Sequence, residues 1–192
     1  MMAQKSNESI KTALLIIDIQ NFYFPGETPG LVNAEEASLV AKNVLSQFRN
    51  EKQLVVHIRH ESKKGFEIHE NVKPLPEEKI ITKKEVNSFN GTYLLEFLKE
   101  NKITRLVIIG MQTHMCLEAA TRAAYDYGFE CIVIQDACAT KDLKFENTLV
   151  KAADVHASTL ATLKNGGYAK VFDFNYFKEN LNDLLYNNLK NN

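Results

Sequence analysis

Apolar and polar positions alternate between two periods along this chain. Four short runs are almost unbroken: TALLIIDI at 12–19, QLVVHIR at 53–59, LVII at 106–109 and ECIVIQ at 130–135. Runs this short and this apolar fit strands buried on both faces of a parallel sheet. KIITK at 79–83 adds a short strand, and Tyr168 to Phe172 a last one. Between them the period lengthens to that of a helix. Ala37, Val40, Ala41, Val44 and Phe48 share one face of a segment at 34–49, and Leu94, Leu95 and Leu98 one face of a segment at 92–101. A third helix is predicted from Leu117 through Ala120 and Ala124 to near Gly128. A fourth is predicted at 145–165, with Leu149, Ala153, His156, Leu160 and Leu163 on one stripe, and a terminal one at 174–188. This alternation predicts one α/β domain over 1–192, with a polar leader at 1–11. Its form is a three-layer, Rossmann-like fold with a mostly parallel, about six-stranded sheet flanked by helices.

Two connections stand out. QNFYFPGETPG at 20–30 gathers three aromatics, Phe22, Tyr23 and Phe24, which either pack the domain or wall a pocket, with Phe22 and Phe24 the candidate pocket residues. The polar stretch at 60–79 has the length of a lid or binding loop. Composition narrows the partners. The 192 residues carry a net charge of −1, which gives no electrostatic case for nucleic acid or an anionic membrane. No apolar run nears the roughly 20 residues that cross a bilayer, and the leader has no secretory apolar core. Three cysteines without framework spacing suit a reducing, cytoplasmic setting. There is no GxGxxG or GxxxxGK[ST] loop for a nucleotide.

Candidate chemistry sits where strands end. Cys116 lies between a strand and a helix, where the helix dipole favours the thiolate. Asp18 closes the first strand, either as a turn residue or as an acid facing the ligand crevice of an open sheet. Lys83 ends the short strand. An acid, a cation and a thiol brought to one crevice are the parts of an acyl-transfer site. His57 and His60 bracket the end of the second strand, but three residues apart they point to different faces, and no third metal ligand is evident. His114 either lines a pocket or caps the helix start, and His156 reads as a core histidine.

The segments LLIIDIQNFYFPG, ITKKEVNSFNGTYL and VIIGMQTHMCLEAATRAAYDYGFECIVIQDACAT resemble, in order and spacing, the isochorismatase-like cysteine hydrolases, a superfamily that includes nicotinamidases. The likeness runs from about Thr12 to Val171. It implies a catalytic triad of Asp18, Lys83 and Cys116, with Lys84 competing for the lysine role; alternation along a strand favours Lys83. It implies a non-proline cis peptide between Met111 and Gln112 and an oxyanion hole built from the backbone N–H groups of Gln112 and Cys116. The implied activity is hydrolysis of an amide-type C–N bond of a small molecule through a thioester. The segment HESKKGFEIHENVKP departs from the D-x-H pattern of the metal-binding nicotinamidases, so neither a metal nor another cofactor is expected. Isochorismatases proper lack the cysteine, which Cys116 supplies here. A homodimer or higher homo-oligomer is expected, from the family and from Phe172, Phe174, Tyr176 and Phe177 crowding the segment before the leucine-bearing tail. The competing classes are a non-catalytic binding or scaffold protein that keeps the fold, a hydrolase of isochorismatase type, and a thiol redox sensor.

Overall fold

The computed structural model describes residues 10–26 and 30–189, so most of the predicted leader lies outside the described residues. The strands are β1 (Thr12–Ile17), β2 (Leu54–His60), β3 (Lys79–Lys83), β4 (Arg105–Met111), β5 (Glu130–Ala139), β6 (Leu143–Phe145), β7 (Thr148–Val150) and β8 (Lys170–Phe172). The helices are α1 (Ala34–Asn50), α2 (Leu94–Glu100), α3 (Glu118–Asp126), α4 (Ala152–Asn165), α5 (Phe174–Glu179) and α6 (Leu181–Tyr186). Six strands form one sheet in the order β3-β2-β1-β4-β5-β8, every neighbouring pair parallel. The chain winds outward from β1 to β3, then returns to the other side of β1 for β4. The winding therefore reverses between β1 and β4, and ligands of such sheets bind beyond the carboxyl ends of the strands at that point.

Alternate residues of β1 enter two separate cores, which makes the domain three layers deep. Ala13, Leu15 and Ile17 pack with Leu94 and Leu98 of α2, Ala120 and Ala124 of α3 and Leu163 of α4. Leu14 and Ile16 pack with Ala41, Val44 and Phe48 of α1 and with Phe177, Leu184 and Leu185 near the C-terminus. Arg105, fully buried, donates to Glu130 and to the carbonyls of Leu184 and Asn187, which docks the tail on the start of β4. β4 passes so close to β1 that a Cβ on Gly110, whose φ is +132°, would lie 2.0 Å from the Ile17 carbonyl oxygen. Only glycine fits both that contact and that backbone.

Three predicted elements differ. The helix expected over 145–165 begins seven residues late, because β6 and β7 form an antiparallel hairpin whose turn holds Glu146 at φ +52°. Asp142 then accepts the Ala152 N–H at 2.8 Å and starts α4 from outside the helix. Leu149 consequently lies on the hairpin, 55% exposed, and the buried stripe of α4 runs through Ala152, Val155, Thr159, Leu160 and Leu163. The third helix is preceded by one wider turn of π-helix, Thr113–Leu117. The terminal helix is two short helices divided at Asn180, whose side-chain amide donates to the Tyr176 carbonyl. The tail aromatics are largely absorbed by their own domain. Phe177 is buried beside Phe48, Phe172 stacks on Tyr176, and only Tyr176 of that set is strongly exposed.

Candidate active site

Asp18 follows β1 directly with φ +51°, a left-handed conformation that Asp tolerates better than most residues. Its N–H donates to the Ile58 carbonyl at 3.0 Å, which ties the turn to β2. Along β3 the side chains alternate, so Ile81 and Lys83 point inward, while Lys84 stands exposed beside Glu61. The lysine at the site is therefore Lys83. Cys116 rides on the π-helical turn that joins β4 to α3, 5% exposed. The peptide between Met111 and Gln112 is cis, as the resemblance implies. The Gln112 carbonyl accepts the Met115 and Leu117 N–H groups, and among the described residues the Gln112 N–H finds no acceptor.

The three groups meet. The Lys83 ammonium donates to Asp18 Oδ2 at 2.7 Å and to Cys116 Sγ at 3.3 Å. His60 Nδ1 lies 3.2 Å from the same nitrogen, within reach of its third N–H. An ammonium has three donors, one for each of these neighbours. Asp18 Oδ1 is buried with no hydrogen-bond partner among the described residues. Asp18, His60 and Cys116 each offer a metal-ligating atom, all within 4.8 Å of one another. The cation within that set is the Lys83 ammonium.

Burial governs the proton affinities. It raises the Asp18 carboxyl above its ordinary value, against the pull of Lys83. Burial and the neighbouring Asp18 charge push the Cys116 thiol up to about 12, with Lys83 opposing. The thiolate expected from the helix dipole is thus overridden. Desolvation in a closed site and an adjacent carboxylate outweigh a dipole whose first regular helical residue is Glu118.

Other candidate residues take supporting places. His114 Nδ1 lies 2.6 Å from Thr140 Oγ1, and His156 Nδ1 lies 2.9 Å from Thr113 Oγ1, so both fasten the turn that carries Cys116. Phe24 is buried and stacked on His69, and the Phe22 N–H donates to Gly65, so both brace the connection between β2 and β3. The aromatic that reaches the site is Tyr23, whose hydroxyl accepts from Gln112 Nε2 at 3.3 Å. His57 lies on the opposite face from His60. Its Nε2 pairs with Glu78 at 2.9 Å, and Glu78 also takes two bonds from Arg49. The sequence offers Tyr23 only as one of three aromatics that pack or wall a pocket, and it marks neither Gln20 nor the contact of His60 with Lys83. Only the cross-strand partner Lys83 could have marked His60, and that partner is set by register.

The fold agrees with what known proteins show. The family model "Isochorismatase domain" matches residues 12–164. The uncharacterized isochorismatase family protein YddQ of Bacillus subtilis is 43% identical over 171 residues, covering 83% of this chain and 94% of that one. A crystal structure from Oleispira antarctica, of a protein assigned to the isochorismatase hydrolases, is 41% identical and superposes with a TM-score of 0.83, covering 86% of this chain and 95% of that one. Streptothricin hydrolase of Streptomyces noursei is 29% identical over 140 residues, covering 68% of this chain and 55% of its own length.

Proposed function

The chain belongs to the isochorismatase family, and from that premise we propose that it is a cysteine hydrolase cleaving an amide-type C–N bond of a small molecule through a thioester on Cys116. One observation carries the reading. Lys83 touches both Asp18 Oδ2 and Cys116 Sγ, while Asp18 Oδ1 is left buried and unpaired. A buried polar atom without a partner calls for an explanation. Here it is the oxygen free to take the thiol proton.

In this reading the resting thiol is neutral, and Asp18 removes its proton as the sulfur attacks the substrate carbonyl carbon. The backbone N–H groups of Gln112 and Cys116 receive the oxyanion. Asp18 then passes the proton to the leaving amine, the C–N bond breaks, and a thioester remains. Asp18 next takes a proton from water, whose oxygen attacks the thioester carbon. The sulfur departs and recovers the proton, releasing the carboxylic acid. A carboxyl raised by burial is better matched to this work near neutral pH than an ordinary aspartate. Lys83, with a neighbour for each donor, acts by holding the acid and the sulfur together, not by touching the substrate oxygen. The likeness to a hydrolase of streptothricin supports hydrolysis.

The test is ammonia release from a panel of small carboxamides and ureides, with mass spectrometry of the quenched enzyme. The expected result is turnover accompanied by an acyl adduct on Cys116, both abolished in Cys116→Ala, while Cys131→Ala and Cys138→Ala keep most activity. A Cys116→Ala protein that turns over the best substrate at near the wild-type rate overturns the mechanism.

A further inference from the structure

We propose that His60 is a positioning residue of this site: its neutral imidazole takes the third N–H of the Lys83 ammonium at Nδ1 and so fixes that ammonium against Asp18 and Cys116. The inference rests on the reading of Asp18, Lys83 and Cys116 as the reacting set.

The contact is built into the sheet. His60 and Lys83 are register partners at the ends of the parallel strands β2 and β3. Partners in a parallel pair project to the same face, so the imidazole stands beside the lysine stem. The Glu61 N–H donates to the Lys83 carbonyl at 2.8 Å and continues the pairing one residue further. His60 is also held from the turn that follows β1. Gln20, fully buried two residues after Asp18, accepts the His60 N–H at 2.7 Å and donates to the His60 carbonyl at 3.0 Å and the Phe66 carbonyl at 2.8 Å. One side chain thereby couples the turn that bears the acid to the strand end that bears the imidazole.

The ammonium needs this third acceptor. With His60 in place Lys83 is 1% exposed, so in a His60→Leu enzyme, whose side chain keeps that cover, no bulk water replaces the missing partner. Without His60 the Nζ is free to rotate away from the soft sulfur at 3.3 Å while keeping the carboxylate at 2.7 Å. The imidazole must be neutral to accept, with its hydrogen on Nε2, because an imidazolium has no lone pair. Burial and the Lys83 charge both lower the His60 pKa, against Asp18, Glu85 and Glu61, which favours that neutral form. His60 is only half-buried and Lys83 is enclosed, so the imidazole forms one wall between the ammonium and solvent.

The experiment uses two variants and one spectrum. Asparagine can place its Oδ1 where Nδ1 stands and accept the same hydrogen. His60→Asn is therefore expected to keep kcat within about threefold, whereas His60→Leu is expected to lower kcat about 10- to 100-fold with little change in KM, the range in which misplacing one reacting group falls. Nitrogen-15 spectra of the substrate-free enzyme with labelled histidine should show the His60 ring with hydrogen on Nε2 and a hydrogen-bonded Nδ1, and Lys83→Met should abolish that bond. A His60→Leu enzyme with wild-type kcat, equal losses in both variants that track their thermal stability, or a wild-type ring protonated at Nδ1 would each overturn the proposal. Failure of the amidase reading would show differently, as no turnover on any amide while the nitrogen spectrum still reports the Lys83 contact.

Discussion

Replacing Lys83 by methionine keeps the length of the stem and removes the charge. In the native site the ammonium lies 2.7 Å from Asp18 Oδ2, and neither side chain is exposed. With an effective dielectric of about 20, unit charges at that distance attract by about 6 kcal/mol. Relaxation and water entering the vacated space reduce this, and about half is a fair working value. A loss of about 3–6 kcal/mol from the ionised form of the base corresponds to a rate lower by about 10²- to 10⁴-fold at neutral pH. The direction with pH is also fixed. Burial already raises the Asp18 carboxyl, and removing Lys83 removes the largest opposing influence. The acid limb of kcat/KM must therefore move to higher pH, with part of the activity returning as pH rises. Stability follows the same sign. A carboxyl whose folded pKa is raised contributes stability below its unfolded value, near 3.8, and loses it as pH rises through the folded value. The gap between variant and wild type should open only as pH passes the wild-type folded value, where Asp18 ionises beside Lys83 but not beside methionine, and widen above it toward about 3–5 kcal/mol, the cost of an unpaired buried charge. Ammonia release from pH 5 to 9 and urea melts at the two ends of that range measure both. A variant within tenfold of wild type at pH 7, or an acid limb shifted downward, would refute the argument.

Because the Cys116 thiol is pushed up to about 12, its alkylation by iodoacetamide should climb about tenfold per pH unit from 7 to 9, as the thiolate is the nucleophile. A plateau below pH 8 would contradict this. Burial pushes Glu78 up, but hydrogen bonds from Arg49, His57 and the Leu75 N–H outweigh it and hold the carboxyl well below its ordinary value. Glu78→Gln should therefore cost about 2 kcal/mol in urea melts at pH 7, with a gap to wild type that shrinks as pH falls below 4.5, the value of an unperturbed glutamate. Light scattering at micromolar concentration should give a mass at least twice that of one chain. Phe145→Glu, on the hairpin where Phe145 is 74% exposed, should lower it, and a monomeric wild type would end that expectation.

The parallel sheet was legible because β1, β2, β4 and β5 are apolar on both faces, a pattern that helices on two sides require. Lys83 was separable from Lys84 for an equally local reason, the two-residue repeat of a strand. One local element and two non-local contacts escaped. The hairpin at 143–150 was hidden inside an apparent helical stripe, because Leu149 falls in phase with Leu160 and Leu163 although its backbone is extended. The state of the thiol depended on burial and on an acid nearly a hundred positions away along the chain. His60 was weighed beside His57 as a neighbour in sequence. Its partner across the β2–β3 register was not visible until the strands were paired.

The place of β1 between β2 and β4 has a consequence for how the molecule is made. Synthesis delivers β1, β2 and β3 first, so the β1 edge that will pair Thr12 with Arg105 and Ile17 with Gly110 stays open until translation has passed the middle of the chain and delivered β4. That edge is six residues long, five of them apolar, without a charge or a proline to discourage pairing with another chain. The growing polypeptide thus carries an adhesive strand for much of its synthesis, at the stage when partly folded chains aggregate. Chaperone demand and inclusion-body formation should accordingly respond to charge placed on that edge or to slowed translation through β4, and hardly at all to changes in the hairpin.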